Sequence, residues 1–176
     1  MYSEAKAELI QAAKQSEEAF IELYQLYVQR VFRFALSRTR NQQLAEDITS
    51  ETFLTLLNKL HTYTPTGAAF SSWLFQIALN HIRTHWRKEK SPPLDIDSLA
   101  DLIPSASGNH KDWLDLFLAL DHLLEDDRNI LLMKYVDDLP NQKIAEILKI
   151  SPNSCTVRIH RAKERAQTYL QTYDQS

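Results

Sequence analysis

The residues best suited to chemistry lie between Asn153 and Arg165, where amide, hydroxyl, imidazole and guanidinium groups recur at helical spacing. Asn153, Thr156, Val157, His160 and Arg161 share one side, with Arg158 and Arg165 close by. Polar and basic groups on an exposed helix end suit insertion into the major groove of duplex DNA. The same pattern also serves an amphipathic helix pair in an ordinary helical domain.

Other chemistry finds little support. His81 and His85 stand four residues apart, a metal-like spacing, but no HExxH context or carboxylate pair accompanies them. A packed or phosphate-facing role suits them better. His61, His110, His122 and His160 form no ligand cluster. Asp126-Asp127 and Asp137-Asp138 fall beside helix ends, where negative charge favours a helix start. Only Gly67 and Gly108 are available, too few for a phosphate-cradling loop. The expectation is a binding protein with no catalytic residue, no metal and no cofactor.

The basic face needs a helix pair to carry it. Ile144, Ala145 and Leu148 mark a short helix from about Asn141, and Lys149 and Ile150 fill the turn. Ser151 is a natural N-cap, and Pro152 falls at the first helical position, where its missing N–H costs nothing. Cys155, Ile159, Ala162, Ala166 and Tyr169 then recur at alternate spacings of four and three, drawing one apolar stripe. The lone cysteine reads as a small hydrophobe in a reducing compartment.

Upstream, scarce glycine and repeated three-to-four spacing predict an all-α protein of two small helical domains: 1–90, a linker at 91–111, and a helix-turn-helix domain at 112–176. Ser3 to Lys14 has helical composition. A helix from Ser16 to about Thr39 carries Phe20, Leu23, Tyr24, Tyr27, Val31 and Phe34 on one side, with the arginines from Arg30 onward on the polar side. Asn41 caps the next, which includes Leu44, Ile48, Phe53, Leu56, Leu57 and Leu60. It turns Glu46, Asp47, Ser50 and Glu51 outward, an edge that aids solubility or meets a basic protein surface.

Pro65 and Gly67 then break helicity between His61 and Ala69. That loop offers hydroxyls and the Tyr63 ring, materials for holding an unstacked base, though it also serves as a plain connector. Phe70 to Lys90 forms another helix with Phe70, Leu74, Ile77, Ala78, His81 and Ile82 inward and Asn80, Arg83 and Arg87 outward. Trp73 and Trp86 suit packing or stacking, and burial decides between them. In the last domain Trp113, Leu116, Phe117, Leu120, Leu123 and Leu124 define one helix, and Ile130, Leu131, Lys134 and Tyr135 sit on the next. The terminal YDQS should fray.

The net charge of -3 conceals three basic clusters, at Arg30–Arg40, Arg83–Lys90 and Arg158–Arg165, so phosphate contacts stay open while non-specific DNA binding should be weak. No signal-like opening and no bilayer-length apolar run is present, which predicts a cytoplasmic protein without membrane insertion.

Five stretches together resemble the small two-domain, extracytoplasmic-function class of bacterial sigma-70 factors. They are AFIELYQLYVQRVFRFAL at 19–36, AEDITSETFLTLLNKL at 45–60, FSSWLFQIALNHIRTHWRKEK at 70–90, LEDDRNILLMKYVDDLPNQKIAEILKIS at 124–151 and SCTVRIHRAKERAQTYL at 154–170. A helix-turn-helix alone is shared by many repressors; the ordered pair of domains is far more specific.

The resemblance implies a factor that directs RNA polymerase to promoters. Asp47 and Glu51 would face the polymerase core; Tyr63 and Thr64, within the 63–69 loop, would receive a base flipped from the upstream element; Asn80 would help read it; Arg83 and Arg87 would hold phosphates. Asn153, Ser154, Thr156, Val157, Arg158 and Arg161 would meet the distal element. Core polymerase, promoter DNA and possibly an anti-sigma factor are the implied partners. The chain departs from the family pattern at Asp126, Lys149, Asn153 and Cys155, where proline, glycine, glycine and valine are frequent, and around Thr64 to Thr66 and Thr84. Lysine in the turn is expected to take the left-handed conformation at some cost. Two other readings are a polymerase-independent helix-turn-helix regulator, and an interaction module with a vestigial DNA surface.

Overall fold

The computed structural model describes residues 4–65, 67–88, 117 and 119–173, without the side chains of residues 87, 88 and 173. The predicted connector at 91–111, Lys90, Thr66, Trp113, Leu116, the side chain of Arg87 and the last three residues lie outside this set. Two compact units divide the chain, Met1–Asp95 and Ile96–Ser176.

In the first unit, α1 (Ala7–Ala12), α2 (Glu17–Thr39) and α3 (Gln42–Lys59) lead through a 3-10 turn at Leu60–Thr62 to α4 (Phe70–Lys88). Side-chain caps start α2 and α3, the latter at Asn41 as predicted. Ser16 accepts from the Ala19 N–H, and Asn41 accepts from the Leu44 N–H at 2.9 Å. Arg40, left-handed at φ 51°, reverses the chain between those helices. Leu23, Tyr27, Val31 and Phe34 of α2 are buried, as are Ile48, Phe53 and Leu56 of α3 and Phe70, Leu74, Ala78 and Ile82 of α4. Each large side chain of this kind contributes about 1.5–3 kcal/mol through burial.

Three expectations are corrected here. Tyr24, expected on the apolar side of its helix, is exposed at 40% because it lies at the margin of that stripe; Leu57 of α3 stands out similarly at 53%. Arg38 and Arg40 are buried rather than on the polar side. The Arg38 Nη1 donates to the Phe34 carbonyl at 2.8 Å and to Ser37 Oγ at 2.9 Å, and its guanidinium lies 3.5 Å from the Phe34 ring centroid. A cation at the C-terminal end of a helix meets carbonyls that lack an intrahelical donor, so burial is compensated there. The opening helix is also shorter than the Ser3–Lys14 span.

In the second unit, α5 (Glu125–Leu131) continues as a π turn at Leu132–Val136, followed by α6 (Asn141–Leu148) and α7 (Pro152–Tyr173). Glu125, Asp126 and Asp127 occupy the first turn of α5, where carboxylates favour the helix dipole. Phe117, Leu120, Leu123, Ile130 and Leu131 form the core with Ile144, Ala145 and Ile147 of α6 and Cys155, Ile159, Ala162 and Ala166 of α7. Leu124, expected on the same helix as Leu120, is instead the extended cap residue before α5 and is 77% exposed. Tyr135 is likewise 41% exposed. Lys149 is left-handed at φ 55°, as expected.

Candidate nucleic-acid interface

The N-terminus of α7 is built by its own sequence. Ser151 Oγ accepts from the Ser154 N–H at 3.1 Å and donates to Ser154 Oγ at 2.9 Å. Cys155, Ile159 and Ala162 anchor one side in the core, while Asn153, Ser154, Thr156, Val157, Arg158 and Arg161 are all exposed on the other. The predicted residues are thus brought together on one surface.

Their availability differs. Thr156 Oγ1 donates to the Pro152 carbonyl at 3.2 Å and accepts from Asn141 Nδ2 at 3.3 Å, so it also ties α6 to α7. Arg158 and Arg161 have no hydrogen bond or ion pair among the described residues. Arg165, expected near the same face, instead pairs with Asp127 of α5. His160 Nδ1 lies 3.3 Å from Glu164 Oε2 one turn on. Beneath this surface, burial pushes the Cys155 thiol up, against the opposing influence of Lys134 and Arg158.

In the first unit, the Tyr63 ring stacks on Trp73 at 4.8 Å and meets the edge of Phe70 at 5.3 Å. Burial, aided by the Glu4 charge, raises the Tyr63 phenol above its ordinary value. Thr64 is exposed, and Gly67 supplies the left-handed φ of 86° that the loop needs. Trp73 is half-buried, its ring packed against Tyr63 and Phe70. Asn80, exposed, lies two turns further along the same stripe of α4, about 10 Å by helical rise. Arg83 is half-buried. Trp86 is also half-buried, its Nε1 enclosed without a hydrogen-bond partner among the described residues.

A third surface lies on α3. Asp47 is exposed, Glu51 is half-buried, and Leu54 and Leu57 stand out at 61% and 53%. Asp47, Glu51 and Leu54 follow one stripe at spacings of four and three. Leu54 is not distinguished in the sequence, and Leu57 reads as one more apolar residue of the helix, because FLTLL is apolar around most of the helix; their position off the Phe53–Leu56–Leu60 stripe is the available signal. His81 and His85 converge on the same carboxylate, Nδ1 and Nε2 lying 3.1 and 3.4 Å from Glu51 Oε2. Thr55 Oγ1 meets the other ring nitrogen of His81 at 2.9 Å. His81 is therefore half-buried between helices rather than core, and a single carboxylate occupies the site. Among the described residues, no group of three or more His, Cys, Asp or Glu could hold a metal ion. Nor is any described helix long and apolar enough to cross a membrane.

The model of Sigma-70 region 2 matches residues 23–91, and that of Sigma-70 region 4 matches residues 114–165. The chain is 30% identical over 149 residues to the ECF RNA polymerase sigma factor SigM of Bacillus subtilis, covering 82% of this chain and 90% of SigM. Its fold resembles that of CnrH, solved in complex with the cytosolic domain of CnrY, with TM-score 0.70 and 22% identity over 93% of this chain and 96% of that one. It also resembles the sigma factor RpoE of Bartonella quintana, solved with the anti-sigma factor NepR, with TM-score 0.65 and 22% identity over 88% and 98% of the respective chains. This chain belongs to the extracytoplasmic-function class of sigma-70 RNA polymerase sigma factors, non-catalytic subunits that direct transcription initiation.

Proposed function

We propose that residues 1–90 bind core polymerase and open the upstream promoter element, while residues 112–176 hold the distal element as duplex. The observation that carries this reading is the exposed face of α7, where Arg158 and Arg161 have no competing partner among the described residues while the opposite face is anchored in the core. Arg158 and Arg161 contact phosphates or base edges, with Asn153, Ser154, Thr156 and Val157 beside the bases. Tyr63 and Thr64 receive a base whose unstacking costs a few kcal/mol, Asn80 reads along the same strand, and Arg83 and Arg87 hold phosphates.

Core polymerase meets α3 through Asp47 and Glu51, and the exposed Leu54 and Leu57 give that surface an apolar centre. An anti-sigma factor is a further partner, with the RpoE–NepR complex as precedent. These roles place the protein in the cytoplasm.

The test is initiation by purified core polymerase over a random promoter library, with and without this protein. New start sites sharing two spaced elements are expected. Identical start sites in both reactions would defeat the proposal.

A further inference from the structure

The segment before α2 reaches the Tyr63 loop from both ends. At one end Glu4 takes the place of an N-cap for α4: its Oε1 accepts from the Ser71 N–H and its Oε2 from Ser71 Oγ, both at 2.8 Å. At the other, Lys14 Nζ donates to the Tyr63 carbonyl oxygen at 2.8 Å. These contacts join residues 67 and 49 positions apart, so neither follows from local helix formation.

A third attachment holds the segment itself. Tyr27 OH accepts from the Ala5 N–H at 2.9 Å and donates to Glu4 Oε1 at 3.2 Å. Burial pushes the Tyr27 phenol far above its ordinary value, so it remains a donor at any physiological pH. Ala5, Ile10 and Ala13 are buried, which makes α1 and its flanks part of the packed unit.

Between the two attachments lie the exposed Thr64, the left-handed Gly67 and the Phe70 edge against Tyr63. A short loop fixed at both ends has lost much of its conformational freedom before a ligand arrives, so binding need not supply that ordering. We propose that Glu4 and Lys14 form a clamp that presets the Tyr63 loop for base capture, acting as positioning residues that do not touch DNA. This inference rests on the base-receiving role of the loop proposed above.

The test uses holoenzyme assembled from the full chain and core polymerase. Binding of a single-stranded non-template oligonucleotide carrying the upstream element is titrated by fluorescence anisotropy at several salt concentrations. Lys14→Met and Glu4→Gln are expected to weaken binding about five- to tenfold through lost preorganisation. Affinity for core polymerase and for distal-element duplex stays unchanged, and Lys14→Arg restores oligonucleotide binding.

The salt slope separates a clamp from a phosphate contact. It stays at the parent value if Lys14 positions the loop, and a slope smaller by about one would make Lys14 a DNA ligand and overturn the clamp. Unchanged oligonucleotide affinity in both variants, while Tyr63→Ala weakens it, would overturn the clamp and leave the loop's role standing. No effect of Tyr63→Ala would overturn both. Parallel loss of core affinity would reduce the contacts to general support of the unit, also overturning the clamp. If Glu4→Gln disrupts folding by circular dichroism, Lys14→Met decides the question alone.

Discussion

The two units expose their proposed DNA contacts by opposite routes. On α7, six candidate side chains fall within nine consecutive residues, and the cap at Ser151, the anchoring stripe and the exposed face all belong to one helix and the residue before it. Around Tyr63, the ring depends on Trp73 and Phe70, its carbonyl on Lys14, and the start of α4 on Glu4. A surface carried on one helix survives loss of a neighbour, whereas an assembled loop inherits every weakness of its supports.

The largest expected effect tests the autonomy of α7. Replacing Arg158 and Arg161 together by alanine should weaken distal-element duplex binding by holoenzyme about a hundredfold, from roughly 1–3 kcal/mol per contact. Thermal stability and single-strand binding should not change; a loss of folding would show that the face is less independent of its core than proposed.

Next in size, Tyr63→Ala should cost about tenfold in oligonucleotide binding, within the range of about 1–3 kcal/mol for base stacking. Asn80→Ala should slow promoter opening, followed by permanganate reactivity of unpaired thymines, while leaving the duplex complex intact. Equal losses in both assays would merge two contacts here treated as distinct.

Two left-handed positions sharpen the contrast further. Lys149 is exposed, so Lys149→Gly removes only a strained backbone and should stabilise the second unit by up to about 1 kcal/mol, read from its melting curve. Arg40 has the same backbone geometry with a buried guanidinium. Arg40→Gly should therefore destabilise the first unit, since lost packing outweighs the relieved conformation.

The smallest effect concerns pH. The Cys155 thiol is raised in the folded protein, so its contribution is complete below the ordinary value of 9.0 and is lost as pH rises through the folded value. Denaturant titrations should show the parent losing stability above pH 9.0 more steeply than Cys155→Val. Parallel curves would rule out a buried thiol.

How legible each unit was in the sequence follows the same division. Asn41 and Ser151 announce their helices because an N-cap is a local bond to an N–H three residues on. The stripe from Cys155 to Ala166 is legible for the same reason: periodicity is a property of one helix. Arg38 and Arg40 were misplaced because a guanidinium at a helix end has the same spacing whether it faces solvent or a carbonyl. Apolar type alone does not place Leu57 or Leu124, since large apolar side chains also occur outside the core. Glu51 between two histidines, and the contacts of Glu4 and Lys14, arise only when separate helices meet.

The enclosed sulfur of Cys155 bears on how such a factor is switched on. This polypeptide has one cysteine, and that one is walled in by its own helix packing. An oxidant in the cell finds neither a thiol pair to join nor an accessible thiolate to attack. A disulfide-based alarm would have to be sounded by a different molecule and passed on by contact.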